Sequence, residues 1–247
     1  MTISVCLATY NGQRYLDEQL RSILDQLGPD DEVIISDDAS TDDTLSVARA
    51  ARDRRVRILD HTDRVGYSKN FERAVSAATG EIIFLSDQDD VWLPGKVERM
   101  VAELDQHDLV VSDVSVVDGD LRVLDPSHFA KHRVRRGFVR NLAATRYIGA
   151  AMAMRRELVQ LALPFPDRVR WCAHDYWLTL VGEAYGRVAL VDDPLMLYRR
   201  HEGVTSTGGA RSANSLAHKL LVRGYCLLHL AARAPRGVAY RRPRPRP

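Results

Sequence analysis

The sequence predicts an α/β fold built on a doubly wound, mostly parallel sheet, and three observations carry that expectation. Short apolar runs alternate with segments of helical periodicity through the first hundred or so residues. Single helices between consecutive strands imply right-handed crossovers, and hence parallel pairing. Polar clusters follow the first, second and fourth of these runs, so a parallel sheet brings all of them to one rim, beyond the carboxyl ends of its strands, where such sheets bind ligands.

The elements follow in order. Residues 3–8 make a short apolar strand, after which Tyr15, Leu16, Leu20, Ile23, Leu24 and Leu27 recur at helical spacing. Residues 32–36 are a second strand, closed by Asp37-Asp38-Ala39-Ser40, with Ser40 and Asp43 spaced as a capping box for the next helix. Residues 56–59 are a third strand, 68–79 a helix stopped by Gly80, and 81–86 the fourth strand. Beyond residue 108 the pattern changes, and Asp118-Gly119-Asp120 reads as the turn of a hairpin between 109–117 and 121–124. Residues 125–147 read as irregular and basic, 148–154 as a strand, 155–163 as a helix stopped before Pro164, and 171–185 as a second helix. Two separate strands are expected at 188–191 and 195–201. Residues 203–212, rich in Gly, Ser and Thr, read as a flexible linker before a helix over about 213–233. The closing Arg-Pro alternation is too polar to fold.

Composition narrows the function classes. At 247 residues and 45% hydrophobic, the chain can bury a core as one domain, or as one domain with a subdomain. No run reaches the roughly 18 apolar residues of a membrane span, and residues 1–4 lack the basic start of a secretory signal. Cys6, Cys172 and Cys226 are scattered without metal-ligand spacing and are expected to be reduced, which points to the cytoplasm. The net charge of +2 hides an asymmetry: the residues after Glu202 carry +9 and no acid, which leaves −7 on the body. A nucleic-acid binder should carry its positive charge on the folded face, so none is expected as a partner. A basic tail on an acidic body instead fits peripheral contact with an anionic membrane, at its inner face.

Chemistry concentrates at Asp87-Gln88-Asp89-Asp90, directly after the apolar run 82–85. Three carboxylates that close repel one another unless a cation sits among them. They make an oxygen site for Mg²⁺ or Mn²⁺, ions that also grip substrate phosphates, whereas an acidic turn is the plainer alternative. Around this quartet stand Ala8-Thr9-Tyr10-Asn11-Gly12, the stretch from Ser36 to Thr44, Val91-Trp92, His174-Asp175-Tyr176-Trp177 and Tyr198-Arg199-Arg200-His201. In this order and spacing they resemble the family 2 glycosyltransferases, of the GT-A fold, over about residues 1–205.

The resemblance implies a nucleotide-sugar half over about 1–108, an acceptor half over 109–205, and a linker and basic tail over 206–247. It implies nucleotide contacts from Thr9, Tyr10 and Asn11, base or ribose reading by Asp38, and ribose or water contact from Asp87. Lys69 and Asn70 reach towards the same pocket in this picture, although Asn11 also suits a helix cap and Asn70 an ordinary helix position. Asp89 becomes the metal ligand, joined by His201, whose imidazole suits Mn²⁺ better than Mg²⁺. Arg199 or Arg200 pairs with phosphate. Asp175 becomes the general base that takes a proton from the acceptor hydroxyl, although His174 departs from the Glu that often precedes it. Trp92 and Trp177 line a sugar pocket or pack in the core. The implied activity is inverting transfer from a nucleoside-diphosphate sugar, dTDP-rhamnose or a UDP-hexose, to a saccharide or lipid-linked acceptor in cell-surface polysaccharide synthesis. A nucleotidyltransferase needs a phosphate-cradling Gly-rich loop, for which Asn11-Gly12-Gln13 is too short. A non-catalytic nucleotide-sugar binding protein would leave Asp175 dispensable.

Overall fold

The computed structural model describes residues 1–201 and 215–241. β1 (Ile3–Thr9), α1 (Leu16–Leu24), β2 (Glu32–Asp37), α2 (Thr44–Ala50), β3 (Val56–Asp60), α3 (Tyr67–Ala77) and β4 (Ile82–Asp87) alternate as the apolar runs require. β5 (Val91–Trp92), α4 (Lys96–Leu104), β6 (Leu109–Val117), β7 (Val123–Asp125), α5 (His128–His132) and α6 (Phe138–Ala143) follow. The described chain closes with β8 (Met152–Arg155), α7 (Arg156–Ala162), α8 (His174–Tyr185), β9 (Val188–Arg199) and α9 (Leu216–Tyr240).

All strands join one mixed sheet in the order β3-β2-β1-β4-β8-β6-β9-β5, with β7 on β6. The first four pair in parallel, β8 runs antiparallel to both β4 and β6, and β9 returns parallel to β6. β1 and β4 are buried almost throughout, which is why they read as unbroken apolar runs instead of alternating ones. The parallel register sets Thr9 beside Asp37 and Ala8 beside Asp87, so the polar clusters do share one rim. α8 is buried from Trp177 to Gly182 and forms a core helix under the second half.

Several local expectations change. Residues 188–199 form one strand because the exposed Asp192-Asp193-Pro194 step, which reads as a turn, is absorbed as a bulge against β6. The basic stretch 125–147 is not irregular throughout, since Ser127 caps α5 by accepting from the Ala130 N–H at 3.0 Å, and α6 follows. Residues 149–151 form a 3₁₀ turn before β8 rather than part of a strand. Ser40 does not cap α2: its hydroxyl donates to Asp37 Oδ1 at 2.6 Å, and Asp43 takes the cap position without a side-chain bond. α9 runs on to Tyr240, through Pro235, because packing of Cys226, Leu230 and Gly237 on the body supports it beyond its sequence periodicity. The expected linker at 203–212 and the Arg-Pro end lie outside the described residues.

Gly80 is needed for space and not for ending a helix, because α3 already stops at Ala77. A Cβ on Gly80 would lie 2.6 Å from the Ser4 backbone nitrogen and 2.7 Å from the Ile3 carbonyl carbon, neither of which can rotate away. Gly80→Ala should therefore destabilise the fold by about 1–3 kcal/mol, the usual cost of forcing extra atoms into a packed site. Urea denaturation reads this directly, and an unchanged midpoint would show that β1 can yield there.

Candidate functional site

The rim is built from the loops that leave β1, β2 and β4. Asp37 is fully buried and organises the β2 loop, accepting from Thr9 Oγ1 at 2.8 Å and from the Ser40 N–H at 2.8 Å. Asp38 thus turns the other way, accepting the Val65 and Gly66 N–H groups at 2.7 and 2.8 Å. Beneath them Asn70 is buried, donating to the carbonyls of Ser36 and Thr9 and accepting from Ser36 Oγ at 2.7 Å. Thr9 and Asn70 therefore serve as braces below the rim. Asn11, at φ 48°, brackets the β1 and β2 loops by accepting from the Thr41 N–H at 2.8 Å. Lys69 does not point to the rim either; it pairs with Glu72 and Asp167 at 2.9 and 3.0 Å. Tyr10 offers a half-buried ring, and the Arg64 guanidinium lies 3.7 Å from its centroid.

Gln88 performs a task its sequence position does not announce. Its Oε1 accepts the Tyr10 N–H at 2.8 Å and its Nε2 donates to the Tyr10 carbonyl at 2.9 Å, so one side chain imitates a strand pairing between the β1 and β4 loops. A Cβ at Gly12 would fall 2.1 Å from Gln88 Oε1. The flanking carboxylates are then fixed. Burial, with help from Asp89 and Asp175, pushes the Asp87 carboxyl up to about 7. Asp90 is fully buried, and burial with Asp89 and Asp87 nearby drives it well above the carboxylate range. Its Oδ1 accepts the Arg199 N–H at 3.0 Å, while Oδ2 has no hydrogen-bond partner among the described residues.

The end of β9 locks this loop. Arg199 is 3% exposed; its Nε donates to the Asp89 carbonyl at 2.7 Å, its Nη1 to the Gly119 carbonyl at 2.8 Å, and its Nη2 to Glu18. Three of the five guanidinium N–H donors are spent inside the protein and the side chain is almost wholly buried, so Arg199 acts here as a clamp on the loop instead of the expected phosphate contact. His201 follows, with Nε2 2.9 Å from Asp89 Oδ2, and its ring lies 4.9 Å from that of Tyr15. Below the loop Lys96 is fully buried, 3.4 Å from Ser112 Oγ; burial lowers it to about 7, against the pull of Asp90.

Asp175 sits in the first turn of α8, half-buried, and its charge adds to the burial that raises Asp87 and Tyr67. Its neighbour His174 is buried and stacks on Phe71 at 4.2 Å, and its backbone N–H donates to Ser68 Oγ at 2.9 Å. Burial lowers its pKa against the pull of Asp175, which favours the uncharged ring at the helix start. Trp92 and Trp177 are 2% and 0% exposed, and the Trp177 indole donates to the Ala162 carbonyl. Both belong to the core and give no face to a sugar. Tyr67, 44% exposed beside Asp175, adds a second aromatic ring to the one that Tyr10 presents.

The donor set at Asp89 and His201 fits a divalent cation: carboxylate and imidazole stand together, and positive charge there would relieve the repulsion that adds to burial in raising Asp87. Among the described residues no three His, Cys, Asp or Glu side chains converge on one point, so an ion held here would take its remaining ligands from water and substrate oxygens.

Residues 4–161 match the family model described as glycosyl transferase family 2. The chain belongs to that family. An uncharacterized glycosyltransferase of Nostoc sp. is 27% identical over 226 residues, 87% of this chain and 69% of that protein. The dTDP-rhamnosyl transferase RfbG of Shigella flexneri is 36% identical over 102 residues, which cover 38% of this chain and only 35% of RfbG. In fold, the chain is similar to S. aureus TarS solved with UDP-GlcNAc, at a TM-score of 0.68, 20% identity, and coverage of 94% of this chain and 73% of that one. The GT-A architecture is therefore the one present.

The clamp gives a direct test. Arg199→Lys keeps the charge but cannot span Asp89, Gly119 and Glu18 together. It should weaken nucleoside-diphosphate binding by at least about tenfold through a loosened acidic loop, a cost of about 1.4 kcal/mol. Calorimetric titration reads the affinity, and wild-type affinity would limit the clamp to folding.

Proposed function

We propose that this member of glycosyl transferase family 2 moves a sugar from a nucleoside-diphosphate donor to an acceptor hydroxyl, with inversion, in cell-surface polysaccharide synthesis. The observation that carries the proposal is the meeting of Asp89 with His201, 112 residues apart, on the same rim as Asp87 and Asp175. Asp175 stands half-buried on that rim, on the first turn of a buried helix, where a carboxylate can take the proton from an incoming hydroxyl. Direct displacement with one such base inverts the anomeric centre.

Tyr10 and Asp38 are the nucleotide-facing groups in this proposal, with Arg64 over the Tyr10 ring able to bridge base and phosphate. Asp38 keeps unused lone pairs for a base or ribose after accepting from Val65 and Gly66. Asp87 lies beside them as a ribose contact. Asp89 and His201 would hold Mg²⁺ or Mn²⁺, which when bound neutralises charge developing on the departing diphosphate. The similarity to RfbG supports a dTDP-rhamnose donor and the TarS fold a UDP-hexose. The acceptor is a saccharide or a lipid-linked saccharide.

Asp175→Asn should retain nucleotide affinity within about twofold and lose transfer by about 10²–10⁴, the range a general base supplies. Loss of binding and transfer together would make Asp175 structural, and retained transfer would favour a different base. Nucleoside-diphosphate release measured over a donor panel, with Mg²⁺, Mn²⁺ or chelator, should show turnover with one donor, abolished by chelator and by Asp89→Ala. Turnover that persists in chelator would remove the metal from this proposal.

A further inference from the structure

We propose that the outward face of α9, with the arginines beside it, docks the protein in the plane of an anionic lipid surface. This goes beyond the catalytic proposal and does not depend on it. Along α9, Leu216, Leu220, Leu221, Leu227 and Leu228 are 74, 62, 60, 41 and 73% exposed. They share one side of the helix, whereas Cys226, Leu230 and Gly237 on the opposite side are buried against the body. Five exposed leucines on one helix are well beyond the scattered apolar residues of an ordinary surface. Nothing among the described residues covers them.

Charge selects the occupant. α9 contains no acidic residue. On one flank Arg223, adjacent to Leu220 and Leu227 at helical spacing, donates to the Ala143 carbonyl. Ala143 in turn lines a cavity with the exposed Arg133, Arg135, Arg140 and Arg146. On the other flank the Tyr225 hydroxyl accepts the Arg168 N–H at 3.2 Å, with the Arg168 guanidinium 4.4 Å from the Trp171 ring; the neighbouring Asp167 is already paired with Lys69. An apolar stripe bordered by guanidinium groups matches an interface of acyl chains and anionic headgroups. A second copy matches poorly, because a two-fold contact through α9 would bring these like-charged borders together. α9 lies in the plane, since among the described residues no helix is long and apolar enough to cross a membrane. Its partner α8 carries Asp175 in its first turn, so docking would set the candidate base at a fixed height above the lipid.

The experiment is vesicle flotation of the full chain with phosphatidylcholine alone and with added phosphatidylglycerol. Binding to the anionic vesicles only, weakening with salt, is expected. The pair Leu220→Ser and Leu228→Ser, both on the exposed face, should lower the partition coefficient at least about tenfold while nucleoside-diphosphate affinity stays unchanged. The pair Arg133→Gln and Arg140→Gln should lower it about fivefold per arginine. Absent binding, equal binding to neutral vesicles, or indifference to the leucine pair would overturn the proposal. So would a dimer in solution that the leucine pair dissolves without any vesicle binding, which would assign the face to a second copy.

Discussion

Crowding of negative charge at the ends of parallel strands is the constraint around which the molecule is arranged. The register of β1, β2 and β4 sets Asp37 and Asp87 on one rim, and the β4 loop adds Asp89 and Asp90. Two like charges about 4 Å apart cost roughly 1–4 kcal/mol at effective dielectrics between water and a protein surface. Several such pairs rival the whole stability of a typical domain, about 5–15 kcal/mol. The fold answers each differently. Asp37 is saturated by Thr9 and Ser40, burial favours the neutral form of Asp90, Lys96 lies buried below with its own charge disfavoured by that burial, and Arg199 grips the loop backbone. What is left facing outward is Asp87, Asp89 and the His201 imidazole.

The parts of this arrangement that were legible in the sequence are those governed by local pattern. Strands buried on both faces must be apolar runs, so β1, β2 and β4 announced themselves, and the rim followed from parallel pairing alone. The meeting of Asp89 with His201 was legible only through the order of motifs, since no periodicity links residues that far apart. Illegible were the residues whose task is set by what lies across the fold. Arg199 and Arg200 look alike in the sequence, yet Arg199, the last residue of β9, is buried under the acidic loop. Trp92 and Trp177 look like sugar platforms, but both point into the core. Asp192-Asp193-Pro194 carries every mark of a turn and is tolerated as a bulge because it faces solvent beside a strongly paired strand.

β9 also ties the halves of the molecule together. It pairs with β6 over most of its length and, near its end, with β5, which follows the acidic loop directly. The strand thus delivers Arg199 and His201 to the rim from the second half, while α8 brings Asp175 within electrostatic reach of Asp87. Groups from the two halves of the chain are held by continuous secondary structure, and the geometry between them does not rest on loops alone.

The pairing of Gln88 with the Tyr10 backbone makes two distant positions answerable to each other. The Gln88 amide occupies the volume that any side chain at position 12 would need, so Gly12 is glycine because residue 88 is glutamine. A larger residue at 12 evicts the amide from Tyr10, and a shorter residue at 88 abandons Tyr10 but frees space beside Gly12. The effect of a change at either site therefore depends on the other, which is epistasis written in a single pair of hydrogen bonds. Drift or engineering of this loop must move through both positions jointly, and the middle residue of the acidic motif is tied to a glycine 76 positions earlier in the chain.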